Sequence, residues 1–250
     1  MRLKLLGTGN AAQVPVYNCG CPACLRARAA PQHRRGPCCA LIESGAGRWL
    51  IDAGLTDLAE RFPPGSLKGI LQTHYHADHA QGLLHLRWGI GLRIPVLGPP
   101  DPEGLADLYK HPGILDFSRK LTAFEPLSLD GLTVTPLPLT HSKLTYGYLF
   151  DDGARRYAYL TDTVGLPADT RDYLQRLSLD LLALDCSHPP MPQMPRNHND
   201  LTRALETVAS LHVKKTVLTH IGHDFDAWLM EEEEELPAGV VVGRDGEVFA

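Results

Sequence analysis

The sequence contains no apolar run that approaches the roughly 18 residues needed to span a bilayer. It also lacks a Ser/Gly/Pro-rich linker, a low-complexity block or an internal repeat, so we expect one domain over residues 1–250. The opening segment MRLKLLGTGN has too short an apolar part for a signal peptide. These absences favour a cytoplasmic protein with no membrane partner.

A surplus of basic residues is also missing, because the net charge is −5. This balance argues against a protein that coats nucleic acid by bulk electrostatics, although local charges can still bind a small anion. Cysteine is limited to six residues, and in a cytoplasmic chain we expect no disulfide framework. Cys38, Cys39 and Cys186 lie in apolar surroundings, which favours their burial as small hydrophobic residues.

Short apolar segments followed by polar or glycine-rich loops predict a series of strands. The pairs CCALIES/RWLIDAG and TYGYLF/RRYAYL predict hairpins, and NDLTRALETVASL predicts an amphipathic helix capped by Asn199 or Asp200. Strand-rich stretches occur in both halves, with helices between them. We therefore predict an α/β fold with two sheets packed together and helices outside, rather than a single parallel sheet.

The predicted strands repeatedly end in residues that can bind a metal: Asp52, His74, His141, Asp162, Asp185 and His220. The segment THYHADH, residues 73–79, holds three histidines, His74 among them, and an aspartate directly after an apolar run, and with His141, Asp162 and His220 it supplies seven candidate ligands. Imidazole and carboxylate groups together suit Zn²⁺, Mn²⁺ or Fe²⁺. Seven candidate ligands exceed the needs of one tetrahedral ion and suit two ions that share a carboxylate; the alternative is coincidence in a histidine-rich chain.

The segment THYHADH is similar to the metal-ligand motif of the metallo-β-lactamase superfamily, and His141, Asp162 and His220 match its remaining ligand positions in order. The resemblance implies an αββα sandwich of two mixed β-sheets flanked by helices. It implies one metal on His74, His76 and His141, a second on Asp78, His79 and His220, and Asp162 bridging both. Such a pair of ions keeps a net positive charge, which favours an anionic substrate such as a phosphodiester and attack by a bridging hydroxide oriented by Asp78.

A second cluster, C-G-C-P-A-C, places Cys19, Cys21 and Cys24 in a loop at about residues 17–26. Three thiolates need a fourth ligand for a closed structural Zn²⁺ site, and His223 is the best candidate. The alternative is a redox-active or unpaired cysteine trio.

Both clusters together make the chain resemble the phosphoribosyl 1,2-cyclic phosphate phosphodiesterases of the carbon–phosphorus lyase pathway. The matching stretches include GTGNAAQVPVYNCGCPAC, LTHSKLTYGYL, PRNHNDL and THIGHDFDAWLM. The resemblance implies hydrolysis of 5-phosphoribosyl 1,2-cyclic phosphate to ribose 1,5-bisphosphate in phosphonate catabolism. It further implies two Mn²⁺ ions, with Zn²⁺ or Ni²⁺ as alternatives, one structural Zn²⁺, and a homodimer.

Three further residues are candidates for the reaction or for substrate binding. The resemblance suggests His198 as the general acid, and an imidazole pKa near working pH suits that role; a helix-capping role is the alternative. Lys143 and Arg196 are candidates for binding the terminal phosphate of the sugar, with a surface charge as the favoured alternative for each.

Other functions share this metal site. The rivals are a phosphodiesterase for 2′,3′-cyclic nucleotides, a transfer-RNA 3′-end endonuclease, and a non-catalytic accessory protein resembling the pyrroloquinoline quinone biosynthesis family. The endonuclease grips RNA with a long protruding arm, for which the sequence has no extended insertion. The accessory proteins tend to have damaged ligands, whereas all seven are intact here. The run EEEEE at 231–235 is predicted as a solvated face.

Overall fold

Two β-sheets packed face to face, with helices on both outer faces, form the computed structural model of the chain. The structure describes residues 1–45, 47–193, 195–231 and 236–250. This arrangement confirms the predicted αββα sandwich. Of the glutamate run predicted as a solvated face, only Glu231 falls within these ranges, and it is exposed.

The first sheet is mixed. Its strands are, in spatial order, β16 (Val248–Phe249), β1 (Arg2–Gly7), β2 (Cys39–Ser44), β3 (Gly47–Ile51), β4 (Gly69–Leu71), β5 (Ile94–Leu97) and β6 (Leu115–Asp116). Strands β1 to β3 pair antiparallel, including the hairpin predicted for β2 and β3, whereas β3 to β6 pair in parallel.

The second sheet has the same mixed pattern. Its strands are, in spatial order, β15 (Val240–Val242), β14 (Thr216–Thr219), β12 (Leu181–Asp185), β10 (Arg156–Leu160), β9 (Tyr146–Asp151), β8 (Leu132–Pro138) and β7 (Leu127–Leu129). Strands β7 to β10 pair antiparallel, and β10, β12, β14 and β15 pair in parallel. A separate parallel pair joins β11 (Ser178–Leu179) to β13 (His212–Val213).

The helices lie between strands in the chain. They are α1 (Pro22–Ala29), a 3₁₀ helix (Pro31–His33), α2 (Leu58–Arg61), α3 (Ala77–Ala80), α4 (Leu83–Leu86), α5 (Ala106–Lys110), α6 (Ala168–Gln175), α7 (Leu201–Ala209) and α8 (His223–Glu231). Within the described ranges, no helix combines the length and the apolar composition needed to cross a bilayer.

The core follows from the two-residue period of the strands. Alternate side chains of β3, such as Trp49 and Ile51, face the layer between the sheets, where they join Tyr148 and Tyr159 of the second sheet. Leu50 points the other way, toward the layer covered by α2 to α5. The outer face of the second sheet is covered in the same way by α6, α7 and α8. Both faces of each sheet are therefore buried, and the open positions lie at the strand ends.

The starts of two helices can be compared with the positions that the sequence predicts. The segment after β4 also predicts a helix that opens at Asp78 or His79, whereas α3 begins at Ala77, directly after His76, which is its extended N-cap residue at φ −68° and ψ 154°. Helix α7 begins at Leu201, and the Oδ1 atom of Asp200 accepts a 2.8 Å hydrogen bond from the backbone N–H of Arg203. Of the two predicted caps, Asp200 is therefore the correct one.

Candidate metal centre

The predicted ligands converge at one edge of the sandwich. Strands β4, β8, β10 and β14 all end there. Within the second sheet, β8 and β10 both pair antiparallel with β9, and β10, β12 and β14 are parallel, so β8, β10 and β14 run in the same direction. The loops that follow these four strands carry His74, His141, Asp162 and His220. The loop after β4 also carries His76, Asp78 and His79, so this single short segment reaches the whole width of the site.

One group of ligand atoms comes from His74, His76, His141 and Asp162, and all four atoms lie within 4.8 Å of one another. The Nδ1 atom of His76 lies 2.9 Å from Nε2 of His74 and 3.1 Å from Nε2 of His141. Burial keeps the pKa of each of these three imidazoles below its usual range. Neutral rings present the lone pairs that a metal needs.

A second group comes from Asp78, His79, His220 and again Asp162, with the same mutual limit of 4.8 Å. The Oδ2 atom of Asp162 lies 3.3 Å from Nε2 of both His79 and His220. Burial by itself would raise the pKa of Asp162, but the charges of His220 and His79 hold it well below the usual range. The shared carboxylate is therefore ionised and faces both groups, as the predicted bridging position requires.

Two buried nitrogens in the second group support metal binding directly. The Nε2 atoms of His79 and His220 are buried and have no hydrogen-bond partner in the described structure. A buried polar atom without a partner costs free energy, and a metal ion would satisfy both nitrogens. The donor set of imidazole nitrogens and carboxylate oxygens also suits a borderline divalent ion. The residues present therefore fit two divalent ions.

Four of the histidine rings direct Nε2 toward the ligand groups, and a contact at Nδ1 fixes the orientation of each ring. Nδ1 of His79 donates to Oδ2 of Asp52 at 2.7 Å, and Nδ1 of His220 lies 2.8 Å from Oγ of Ser187. The corresponding partners of His74 and His141 are the hydroxyl of Thr73 at 3.0 Å and the carbonyl of Asn197 at 3.1 Å. Such contacts set the ring orientation and the tautomer. The sequence marked Asp52 only as a strand-end acid, and nothing in it marked the other three.

His198 lies beside the second group, above His220. The two rings stack with centroids 4.6 Å apart, and Nδ1 of His198 donates to Oδ2 of Asp185 at 2.8 Å. Burial alone would lower the pKa of His198, but the charge and hydrogen bond of Asp185 raise it to about 9. His198 can therefore hold a proton at neutral pH beside the second group. Sequence reasoning marked Asp185 as a strand-end carboxylate without linking it to His198.

The two predicted phosphate contacts lie in different surroundings. Nζ of Lys143 lies 3.8 Å from Oδ2 of Asp101, and the positive charge of Lys143 contributes to the lowered pKa of His76. Lys143 is thus close to the first group, with an acidic neighbour. Arg196 is exposed and lines a cavity together with Arg171 and Arg203.

The three cysteines of the N-terminal loop lie close to His223, which comes about 200 residues later in the chain. Nδ1 of His223 lies 3.5 Å from Sγ of Cys19 and 3.4 Å from Sγ of Cys21, and Cys24 completes a group within 4.8 Å. A tetrahedral Zn²⁺ has bonds of about 2.3 Å to sulfur and about 2.0 Å to nitrogen, so a sulfur ligand and a nitrogen ligand lie about 3.5 Å apart. The geometry fits the predicted structural zinc site, and all three cysteines are free thiols.

Known proteins resemble this chain over most of its length. It is 28% identical to an octanoyltransferase of Porphyromonas gingivalis over 98% of this chain and 51% of that protein. It is 26% identical to coenzyme PQQ synthesis protein B of Methylobacterium radiotolerans over 64% of each. The chain spans about half to two thirds of the length of these curated relatives.

Solved structures match the whole chain. A diphosphatase from the PhnP family superposes with a TM-score of 0.81 and 28% identity, covering 100% of this chain and 97% of its own. Zinc-bound PqqB from Methylobacterium extorquens superposes with a TM-score of 0.79 and 18% identity, covering 100% of both chains. The short form of human tRNase Z superposes with a TM-score of 0.70 and 20% identity, covering 100% of this chain and 99% of its own. The latter two show the fold alone.

The family model described as the β-lactamase superfamily domain matches residues 48–221. This span contains all seven residues that make up the two ligand groups. The chain belongs to the metallo-β-lactamase superfamily.

Proposed function

We propose that the chain is a dinuclear-metal phosphodiesterase that hydrolyses 5-phosphoribosyl 1,2-cyclic phosphate to ribose 1,5-bisphosphate. The observation that carries the proposal is the pair of ligand groups that meet at Asp162, with the His198–Asp185 pair beside them. The diphosphatase of the PhnP family, which is similar along the whole chain, supports phosphate ester chemistry. The proposal includes two Mn²⁺ ions, one structural Zn²⁺ and a homodimer.

The metal ligands prepare a positively charged and rigid site. Two divalent ions, when bound, would lower the pKa of a water molecule and polarise the phosphoryl oxygens. Burial alone would raise the pKa of Asp78, but the neighbouring imidazoles of His220 and His79 hold it below its usual range, so Asp78 keeps a carboxylate at the site. Asp78 is partly exposed and can orient the attacking water by accepting its hydrogen bond.

His198 supplies the proton that the leaving oxygen takes up, and regains one from solvent afterwards. Water adds to phosphorus and the bond from phosphorus to O2 of the ribose breaks, so the phosphate stays on O1 and O2 leaves as an alkoxide. The Nε2 proton of His198 neutralises that oxygen, while Asp185 on Nδ1 stabilises the charged ring beforehand. The attacking water loses its proton to solvent.

Substrate comparison tests this proposal. The Mn²⁺-loaded protein is assayed on bis(p-nitrophenyl) phosphate, the phosphorylated cyclic ribose phosphate, a 2′,3′-cyclic nucleotide and pre-tRNA. We expect the highest kcat/KM on the cyclic ribose phosphate, and a large loss of kcat for Asp78→Ala. No phosphodiester turnover at full metal loading contradicts the proposal, and that result would favour the non-catalytic alternative.

The role of His198 has a separate test in leaving groups of different basicity. General acid catalysis contributes about 10²- to 10⁴-fold with a poor leaving group and little with a good one. We therefore expect His198→Asn to lose far more kcat on the cyclic ribose phosphate than on bis(p-nitrophenyl) phosphate, whose phenolate leaves without a proton. Equal losses on both substrates would assign His198 a structural role.

A further inference from the structure

A cavity of about 570 Å³ lies beside the metal centre, between the loops that carry its ligands and the helices α6 and α7. Its walls include Thr140, Val164, Gly165, Arg171, Arg196 and Arg203. Three arginines therefore line one cavity that is open to solvent, and two of them, Arg171 and Arg196, are exposed.

The cavity shares its walls with the site. Thr140 directly precedes His141, Val164 follows Asp162 by two residues, and Arg196 precedes His198 by two. Two residues of chain span at most about 7 Å, so each of these wall positions is close to a residue of the metal centre. The loops are tied together, because Oδ1 of Asn199 accepts a 2.7 Å hydrogen bond from the N–H of Gly165, and the N–H of Val164 donates to the carbonyl of Thr140 at 3.0 Å.

The charge of the cavity is positive. Within the part of the chain that the structure describes, neither Arg171 nor Arg196 has a carboxylate at ion-pairing distance, whereas Arg203 pairs with Glu206 at 2.9 Å. Glu206 is also the only carboxylate among the described residues that line the cavity. Two guanidinium groups in one cavity, each a planar set of N–H donors, suit the oxygens of a phosphate monoester.

We propose that this arginine cavity binds the phosphate monoester of the substrate that does not react, and that Arg171 and Arg196 thereby set the preference for phosphorylated sugars. The inference rests on the proposed phosphodiesterase function and adds Arg171, on helix α6, to the candidate Arg196. The cyclic diester would sit at the metal groups, and the second phosphate would reach past the loop of His198. Lys143, beside His76 and Asp101, is then left to the reacting end of the substrate.

Matched substrates test the inference. We compare kcat/KM of Arg171→Gln and Arg196→Gln on ribose 1,2-cyclic phosphate with and without the 5-phosphate, and on bis(p-nitrophenyl) phosphate. Losing a charged hydrogen bond should raise KM for the 5-phosphorylated substrate by roughly 10- to 100-fold. The two substrates without a monoester should be unaffected. Arg176→Gln is the control, because Arg176 is an exposed arginine at the end of the same helix and does not line the cavity.

Direct binding separates this inference from the proposed function. Calorimetry with ribose 5-phosphate as the probe should show binding to the unsubstituted protein and to Arg176→Gln, and weaker binding to the two cavity variants. This result can stand even if no diester is hydrolysed. Equal affinity in all four proteins, or equal changes in KM with and without the 5-phosphate, would overturn the inference.

Discussion

Individual residues that contact the ligand side chains fix the orientation of those ligands. Asp52 is the clearest case, because it is fully buried and its two oxygens accept from Nδ1 of His79, from the backbone and hydroxyl of Thr73, and from Nε2 of Gln72. All these neighbours point donors at Asp52. The position therefore needs a carboxylate, and the carboxylate in turn leaves Nε2 of His79 free to bind a metal.

Asp52→Asn is predicted to weaken metal binding. The amide replaces one acceptor with a donor that faces other donors, so the ring of His79 loses its fixed orientation. We expect metal affinity to fall by about 10- to 100-fold, measured by chelator competition and metal analysis. Asp57→Asn is the control, because Asp57 is a half-buried carboxylate that pairs with Arg61 and is not among the ligand groups. Unchanged affinity in Asp52→Asn would show that His79 does not depend on this contact.

The start of helix α7 is the element that positions the loop of His198. Oδ1 of Asp200 caps the helix through the N–H of Arg203, and its Oδ2 accepts a 2.9 Å hydrogen bond from the N–H of Met191. One side chain thus joins the helix start to the segment after β12. Asn199 instead turns toward the core, where its Nδ2 donates to the carbonyl of Asp185.

Removing this cap should destabilise the protein measurably. For Asp200→Ala we expect the free energy of unfolding to fall by about 1 kcal/mol, within a usual range of about 0.5–2 kcal/mol, in urea titrations. Thr202→Ala, at an exposed position of the same helix, serves as the comparison and should change it by less than about 0.5 kcal/mol. Equal losses in the two variants would mean that the cap contributes nothing specific.

At the scale of the whole molecule, the cluster of three cysteines and His223 joins the two halves of the chain. Cys19, Cys21 and Cys24 follow the first strand, while His223 begins α8 behind the second sheet. The link is reinforced by an ion pair of 3.3 Å between Arg26 of α1 and Asp226 of α8. Because His220 lies three residues before His223, the same contact holds one end of the metal centre.

Cys21→Ser should remove one equivalent of zinc and lower the unfolding temperature. The metals of the dinuclear groups should be retained, since no ligand is shared between the clusters. Metal analysis and thermal unfolding give the two measurements. Cys39→Ala, which removes a buried thiol far along the chain from this cluster, should keep the full zinc content. An unchanged zinc content in Cys21→Ser would rule out the proposed Cys₃His site.

Much of the fold and of the ligand set was predictable, because the signals are local. Two-residue alternation marks the strands, and ligand-type residues at their ends mark the edge where the site forms. Less was predictable where local propensity competes with the site. The start of α3 at Ala77 is one residue earlier than the earlier of the two predicted positions, and it follows His76, whose extended backbone accompanies the contacts of its Nδ1 with His74 and His141.

The sequence by itself determined the fold class, the seven candidate metal ligands and the cysteine cluster with His223, since each depends on residue type and spacing along the chain. Only the tertiary structure decided the partner of each imidazole, the pairing of Asp185 with His198, and the cavity that gathers Arg171, Arg196 and Arg203. These contacts join segments far apart in the chain, and their meeting depends on how the two sheets and their helices pack.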